Sequence, residues 1–181
     1  LPGEFNRDNA RAAKTAVRTA FPDIEEAVID EALKAFRGSW RRFEYKGETH
    51  TGAQVYDDYA HHPTAIEKTL AAARAKFPGK KIAVAFHPHL YTRTRDLKEG
   101  FVDALRHADE VIIAPIYPAR EEAIPGVTNE ALAGLITAKG GNARALDFAG
   151  IRDALLEYGD EWIIFTMGAG DIYKVAEQII E

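Results

Sequence analysis

Two carboxylates, a phenol and two imidazoles fall within one turn of chain at Asp57-Asp58-Tyr59-Ala60-His61-His62-Pro63-Thr64. Carboxylates accept from hydroxyls and cations, and imidazoles move protons near neutral pH. A second concentration, His87-Pro88-His89-Leu90-Tyr91-Thr92-Arg93-Thr94-Arg95, sets guanidinium groups after two imidazoles. With Thr92 or Thr94 as cap, Arg93 and Arg95 stand beside free helix N–H groups, which favours a carboxylate or phosphate. His61, His62, His87 and His89 with Asp57 or Asp58 also make up a possible zinc set. Adjacent histidines rarely aim at one ion, however, and no HExxH helix occurs, so no metal ligand is assigned. Each feature also has a plain reading. Histidines cap and pack at loop ends, Arg93 and Arg95 can be a solvated helix start, and Arg41-Arg42 can split between the two faces of a strand. Asp58 can simply begin a helix. Met167-Gly168-Ala169-Gly170-Asp171 places a glycine turn before a helix but has neither GxGxxG nor GxxxxGK[ST], and no P-loop occurs in the sequence.

The elements that must position these residues follow from periodicity. Asn6 to Ala20 reads as an alanine-rich helix. A second is expected from about Asp23, as N-cap, to Phe36, with Ile24, Val28, Leu33 and Phe36 on one face. Gly38 ends the helical pair, and the change to strands near Gly38 to Trp40 is the best internal boundary. Arg41 to Lys46 and Ala53 to Asp57 then read as a hairpin with its turn at Gly47. Pro63 at N1, or Thr64 with Glu67 as a capping box, opens a helix with Ile66, Leu70, Ala73 and Phe77 inward. The pattern continues with a buried strand at Lys81 to Phe86, a helix carrying Leu97, Phe101 and Leu105, and a strand at Glu110 to Ala114. A helix over Thr128 to Ala138, a short strand at Ala143 to Leu146, a helix ending at Gly159, a strand at Trp162 to Thr166 and a last helix after Gly170 complete it. This alternation predicts an α/β fold with a mainly parallel sheet and helices on both faces. Parallel strands bring DDYAHHP, HPHLYTRTR, IYPAREEAIPG and MGAGDIYK to one edge, where such sheets bind ligands.

With 181 residues and 46% apolar content the chain can bury a sizeable core. Its 23 basic and 28 acidic residues give a net charge of −5, which offers no general attraction to nucleic acid or acidic membranes. No cysteine is present, so disulfides and thiolate chemistry are excluded. No stretch approaches a membrane span and no secretory signal opens the chain, so a cytoplasmic location is expected. The first residue is Leu1, and a fragment or processed product is expected.

Taken together, PGEFNRDN, RRFE, DDYAHHPT, FHPHLYTRTRDL, AIPGV and TMGAGDIYK resemble the Mur ligases of bacterial peptidoglycan synthesis over nearly the entire chain. The resemblance is greatest to members that join L-alanine to UDP-N-acetylmuramate. It implies a Rossmann-like C-terminal domain over 39–181, preceded over 1–38 by the helical end of an ATPase domain. It also implies an ATP-dependent ligase, using ATP and Mg²⁺ in the whole enzyme, with upstream UDP-binding and ATPase domains as partners and the isolated fragment inactive. The implied reaction phosphorylates the lactyl carboxylate of UDP-N-acetylmuramate and lets the amine of L-alanine attack the acyl phosphate. By the same resemblance Asn6 and Asn9 lie on the ATP side, Arg42 reaches nucleotide phosphate, Asp58 accepts from ribose hydroxyls and Tyr59 borders the nucleotide. His61, His89 and Arg93 face the acyl and amino-acid end. Two positions depart from the family pattern: Phe5 stands where a histidine is usual, and Leu90 where an arginine is. Loss of that guanidinium removes a charge-assisted bond worth about 1.5–3 kcal/mol and leaves the amino acid open. A related ligase that attaches recycled tripeptide, and a stand-alone nucleotide- or anion-binding module, are the alternatives.

Overall fold

The computed structural model describes residues 3–181; Leu1, on which the fragment expectation rests, and Pro2, which opens PGEFNRDN, lie outside the described residues. Two helices, α1 (Glu4–Ala20) and α2 (Glu26–Ala35), precede a hairpin of β1 (Glu44–Glu48) and β2 (Gln54–Asp58). There follow α3 (Pro63–Lys76), β3 (Lys81–Phe86), α4 (Tyr91–Asp96), α5 (Lys98–Leu105), β4 (Glu110–Ile113), α6 (Asn129–Ala138), β5 (Ala143–Ala145), α7 (Phe148–Leu155), β6 (Trp162–Met167) and α8 (Tyr173–Ile179). The sheet order is β1-β2-β6-β3-β4-β5. Only β1 runs antiparallel; β2, β6, β3, β4 and β5 are mutually parallel, as the alternation predicts.

Side-chain alternation along the strands divides the interior in two. Ile82, Val84 and Phe86 of β3 join Ile66, Leu70, Phe101, Leu105 and Ile136 on the face covered by α3, α5 and α6. Ala83 and Ala85 point the other way, toward Ile151 and Leu155 of α7, Val175 and Ile179 of α8, and Ile172, which caps α8. The small alanines let those helices approach the sheet, whereas the first face takes the larger side chains. Such a doubly covered strand reads as a continuous apolar run.

Four local expectations are corrected. The turn from Phe21 to Ile24, closed by Ile24 N–H donating to Phe21 O, absorbs Asp23, and the N-cap of α2 is Glu25. Lys14 pairs with Glu26 and Asp30, and this ion-paired side of α2 lies on α1. The predicted stripe is therefore rotated outward: Ile24, Val28 and Phe36 are 41%, 56% and 52% exposed, and Ile29 is the buried residue. Gly47 is not the hairpin turn. It sits at a bulge in β1, and the chain reverses between Thr49 and Gly52. Finally, Arg41 and Arg42 precede β1; Arg41 and Phe43 have φ of 56° and 50°, which ends pairing there.

Candidate active site

The loops after β2, β6, β3 and β4 share one edge, and β6 separates β2 from β3 although both precede it in sequence. That inversion opens the crevice in which α/β sheets hold ligands. Backbone bonds lace the loops together: Gly168 N–H donates to Asp58 O at 3.1 Å and His87 N–H to Met167 O at 2.8 Å. Gly168 has φ 138°, and a Cβ there would lie 2.5 Å from His87 O. A glycine is required for these loops to meet.

Arg41 anchors the β2 side. It is 2% exposed, its Nε donates to Asp57 Oδ2 at 2.6 Å, and its terminal nitrogens donate to Gly168 O at 2.6 Å and Gly170 O at 3.0 Å. Thr166 Oγ1 donates to Asp57 Oδ1 at 2.6 Å. Burial pushes the Asp57 carboxyl up, while Arg41 and Thr166 stabilise the charged form. The pair is thus spent internally, and it ties the hairpin to the glycine loop.

The residues expected on the nucleotide side come together. Asn6 and Asn9, one turn apart on α1, line a cavity of ≈ 1030 Å³ with Arg42, Asp58, His62, Thr64 and Lys68. Asp58 is 5% exposed and accepts from Phe43 N–H and Ala60 N–H, both at 2.8 Å. Burial pushes its carboxyl up, partly offset by those two bonds and by Arg42. Each oxygen keeps one lone-pair direction beyond its backbone donor. Tyr59 stands beside the cavity lining rather than in it. Its ring lies 5.3 Å from the Arg41 guanidinium and 5.4 Å from that of Arg42, a cation–π stack that holds Arg42 at the rim.

The other half of the site contains His61, His89 and Arg93. His61 Nδ1 is 2.9 Å from Tyr59 O. A carbonyl only accepts, so Nδ1 carries a proton, and in that tautomer Nε2 is the ring's acceptor. His89 has the opposite polarity, because its Nδ1 faces Arg93, a pure donor, across a long 3.4 Å contact. Burial, then Arg93 and His61, lower the His89 pKa, which places these three groups within each other's field. In these tautomers His89 offers Nε2–H and His61 a bare Nε2, one donor and one acceptor. That combination can orient a carbonyl oxygen and receive a proton from an ammonium group.

The expected anion site at free helix N–H groups is corrected. Leu90, not Thr92 or Thr94, caps α4, and the Glu121 carboxylate accepts from both Thr92 N–H, at 2.9 Å, and Thr92 Oγ1. The chain's own carboxylate occupies that end. Arg95 pairs with Asp96 and is exposed, leaving Arg93 as the guanidinium beside His89. His62 is the N-cap of α3, with Pro63 at N1, and accepts from Thr64 N–H at 3.4 Å. Among the described residues no group of three or more His, Asp or Glu converges as a metal set.

The sequence profile of the Mur ligase, glutamate ligase domain matches residues 41–170. The chain belongs to the Mur ligase family. It is 44% identical to the UDP-N-acetylmuramate–L-alanine ligase of Roseiflexus sp. (strain RS-1), matching 100% of this chain and 38% of that protein. Against the enzyme of the same description from Thermobifida fusca (strain YX) it is 45% identical over 100% of this chain and 39% of the relative. The crystal structure of the UDP-N-acetylmuramate-alanine ligase from Thermotoga maritima superposes with a TM-score of 0.79 at 27% identity, covering 99% of this chain and 37% of that one. The chain therefore spans about two fifths of the length of the curated relatives it matches. A murein peptide ligase from Psychrobacter arcticus 273-4 shares the fold, with TM-score 0.72 at 23% identity over 99% of this chain and 37% of its own.

In this Mur ligase chain the sequence left Arg41, Tyr117 and Glu121 without a role. Arg41 had a readable signal: two adjacent carboxylates on a strand buried on both faces demand a cation, and Arg41-Arg42 lies just upstream. Glu121 had none, since the residue it accepts from, Thr92, lies 29 residues earlier in the chain.

Proposed function

We propose that this Mur ligase chain is the C-terminal part of an ATP-dependent amide ligase that joins L-alanine to UDP-N-acetylmuramate. In this reading 1–38 close an ATPase domain and 39–181 form the domain that completes the active site. The observation that carries it is the cavity gathering Asn6, Asn9, Arg42 and Asp58 between the helical pair and the β2 loop, with His61, His89 and Arg93 grouped on the segments that follow β2 and β3. ATP would phosphorylate the substrate carboxylate, the amine of L-alanine would attack the acyl phosphate, and amide and phosphate would leave. Arg42 would hold nucleotide phosphate and Asp58 ribose hydroxyls; Arg93 would hold the amino-acid carboxylate. His89 would orient the acyl oxygen, and His61 would take the proton from the attacking amine. Mg²⁺ would be held largely by the nucleotide phosphates, and no residue of this chain is assigned to it.

The test is ligation by the full-length protein with UDP-N-acetylmuramate, ATP and L-alanine, compared with glycine, L-serine and the tripeptide. Loss of one charge-assisted bond amounts to roughly tenfold or more in affinity. Arg42→Ala should raise KM for ATP by about that factor and leave KM for L-alanine alone, while Arg93→Ala should do the reverse. Preference for the tripeptide, or equal effects on both substrates, would overturn the assignment.

A further inference from the structure

Leu90 has φ 72° and ψ 132°, a conformation that leucine avoids and glycine adopts readily. It separates His89 from the helix bearing Arg93. Such a residue stays in place only where its surroundings over-determine it. The ties come from the loop after β4. Leu90 N–H donates to Tyr117 O and Tyr117 N–H to Pro88 O, both at 2.8 Å, so the two loops form a short parallel bridge at His89 and Tyr117. The Tyr117 ring stacks on His89 with centroids 5.2 Å apart and planes 18° from parallel. Beyond Leu90, Glu121 grips Thr92 through its N–H and hydroxyl, next in sequence to Arg93.

We propose that Tyr117 and Glu121 are positioning residues, which hold the strained Leu90 turn so that His89 and Arg93 face the amino-acid end of the site together. This rests on the ligase reading for its consequence, though not for its geometry. Tyr117 and Glu121 act through His89 and Arg93, whose relative placement they fix. A cap serving only stability would use the Thr92 donors alone. Here the same loop also supports the ring of His89 and the backbone between the two side chains. Arg93, His61, Glu121, His87 and the stacked Tyr117 are the charged and titratable groups that face that ring.

The geometry can be tested in this chain by NMR. Glu121→Ala should move the Thr92 amide proton upfield, and Tyr117→Ala should abolish the ring-current shift on His89. Either variant should change the His89 titration, while Glu121→Gln and Tyr117→Phe should restore most of each signal. Unchanged Thr92 and His89 signals in the alanine variants would overturn the proposal whatever the enzyme does. In the full-length protein both alanine variants should raise KM for the amino acid by about tenfold or more, with KM for ATP unchanged. Altered NMR signals with unchanged amino-acid KM would likewise overturn it. Failure of the parent protein to ligate any amino acid would sink the ligase reading instead, with the NMR comparison still deciding whether the loop positions His89 and Arg93.

Discussion

Arg41 and Asp57 show how a buried charge becomes part of the architecture. Their side chains are 3% and 0% exposed, so removing one leaves the other charged without solvent. Arg41→Met should therefore cost about 3–5 kcal/mol in denaturant unfolding, and Arg41→Met with Asp57→Leu should recover much of it. A double variant no more stable than the single one would show that the pair contributes more than mutual neutralisation. His87 poses a related question through pH. It is 3% exposed, and burial lowers its pKa from 6.5 to about 4. Above 6.5 both folded and unfolded chains hold it neutral; between 6.5 and 4 only the unfolded chain binds the proton. Stability should thus fall as pH drops through that window, by roughly 1.4 kcal/mol per unit at most from this residue. His87→Gln should flatten that part of the curve, and an unaltered slope would count against it.

At the scale of elements, strands buried on both faces were legible and irregular connections were not. Lys81–Phe86 appears as predicted because a six-residue apolar-rich run bounded by Pro78-Gly79 and a polar loop has few other uses. Thr128 is likewise where a helix-starting threonine should be, accepting from Ala131 N–H at 3.1 Å. The stripe on α2 misled because periodicity shows which residues share a face and not which way that face turns. Ion pairs from Lys14 decided the direction. Within the site, the two motifs announced themselves by composition, but the contacts that unite them are backbone bonds, which side-chain identity does not encode. Gly168 is the exception. The close approach of the β6 loop to His87 O makes Gly168→Ala costly, by about 2 kcal/mol or more, through both φ strain and the clash. Gly134, where an added Cβ meets nothing within 4 Å, is the control, and Gly134→Ala in the middle of α6 should be neutral or mildly stabilising. Equal effects at both positions would refute the close-approach argument.

The molecule as a whole is unevenly anchored. The sheet domain has a core on each face, whereas α1 has no buried residue and α2 only Ile29. Local opening follows buried apolar contact, so amides of α1 and α2 should exchange far faster than those of β3 and β6 in deuterium-exchange mass spectrometry. The cavity lies across this difference, with Asn6 and Asn9 on the weakly anchored wall and Arg42 and Asp58 on the other. A ligand bridging the walls binds only while both are in place and so slows exchange in α1 in proportion to its occupancy. With this chain, millimolar ATP should protect α1 and the β2–α3 turn together, and Arg42→Ala should remove both effects. Protection confined to the β2–α3 turn would place nucleotide on the sheet domain alone and separate α1 from the site.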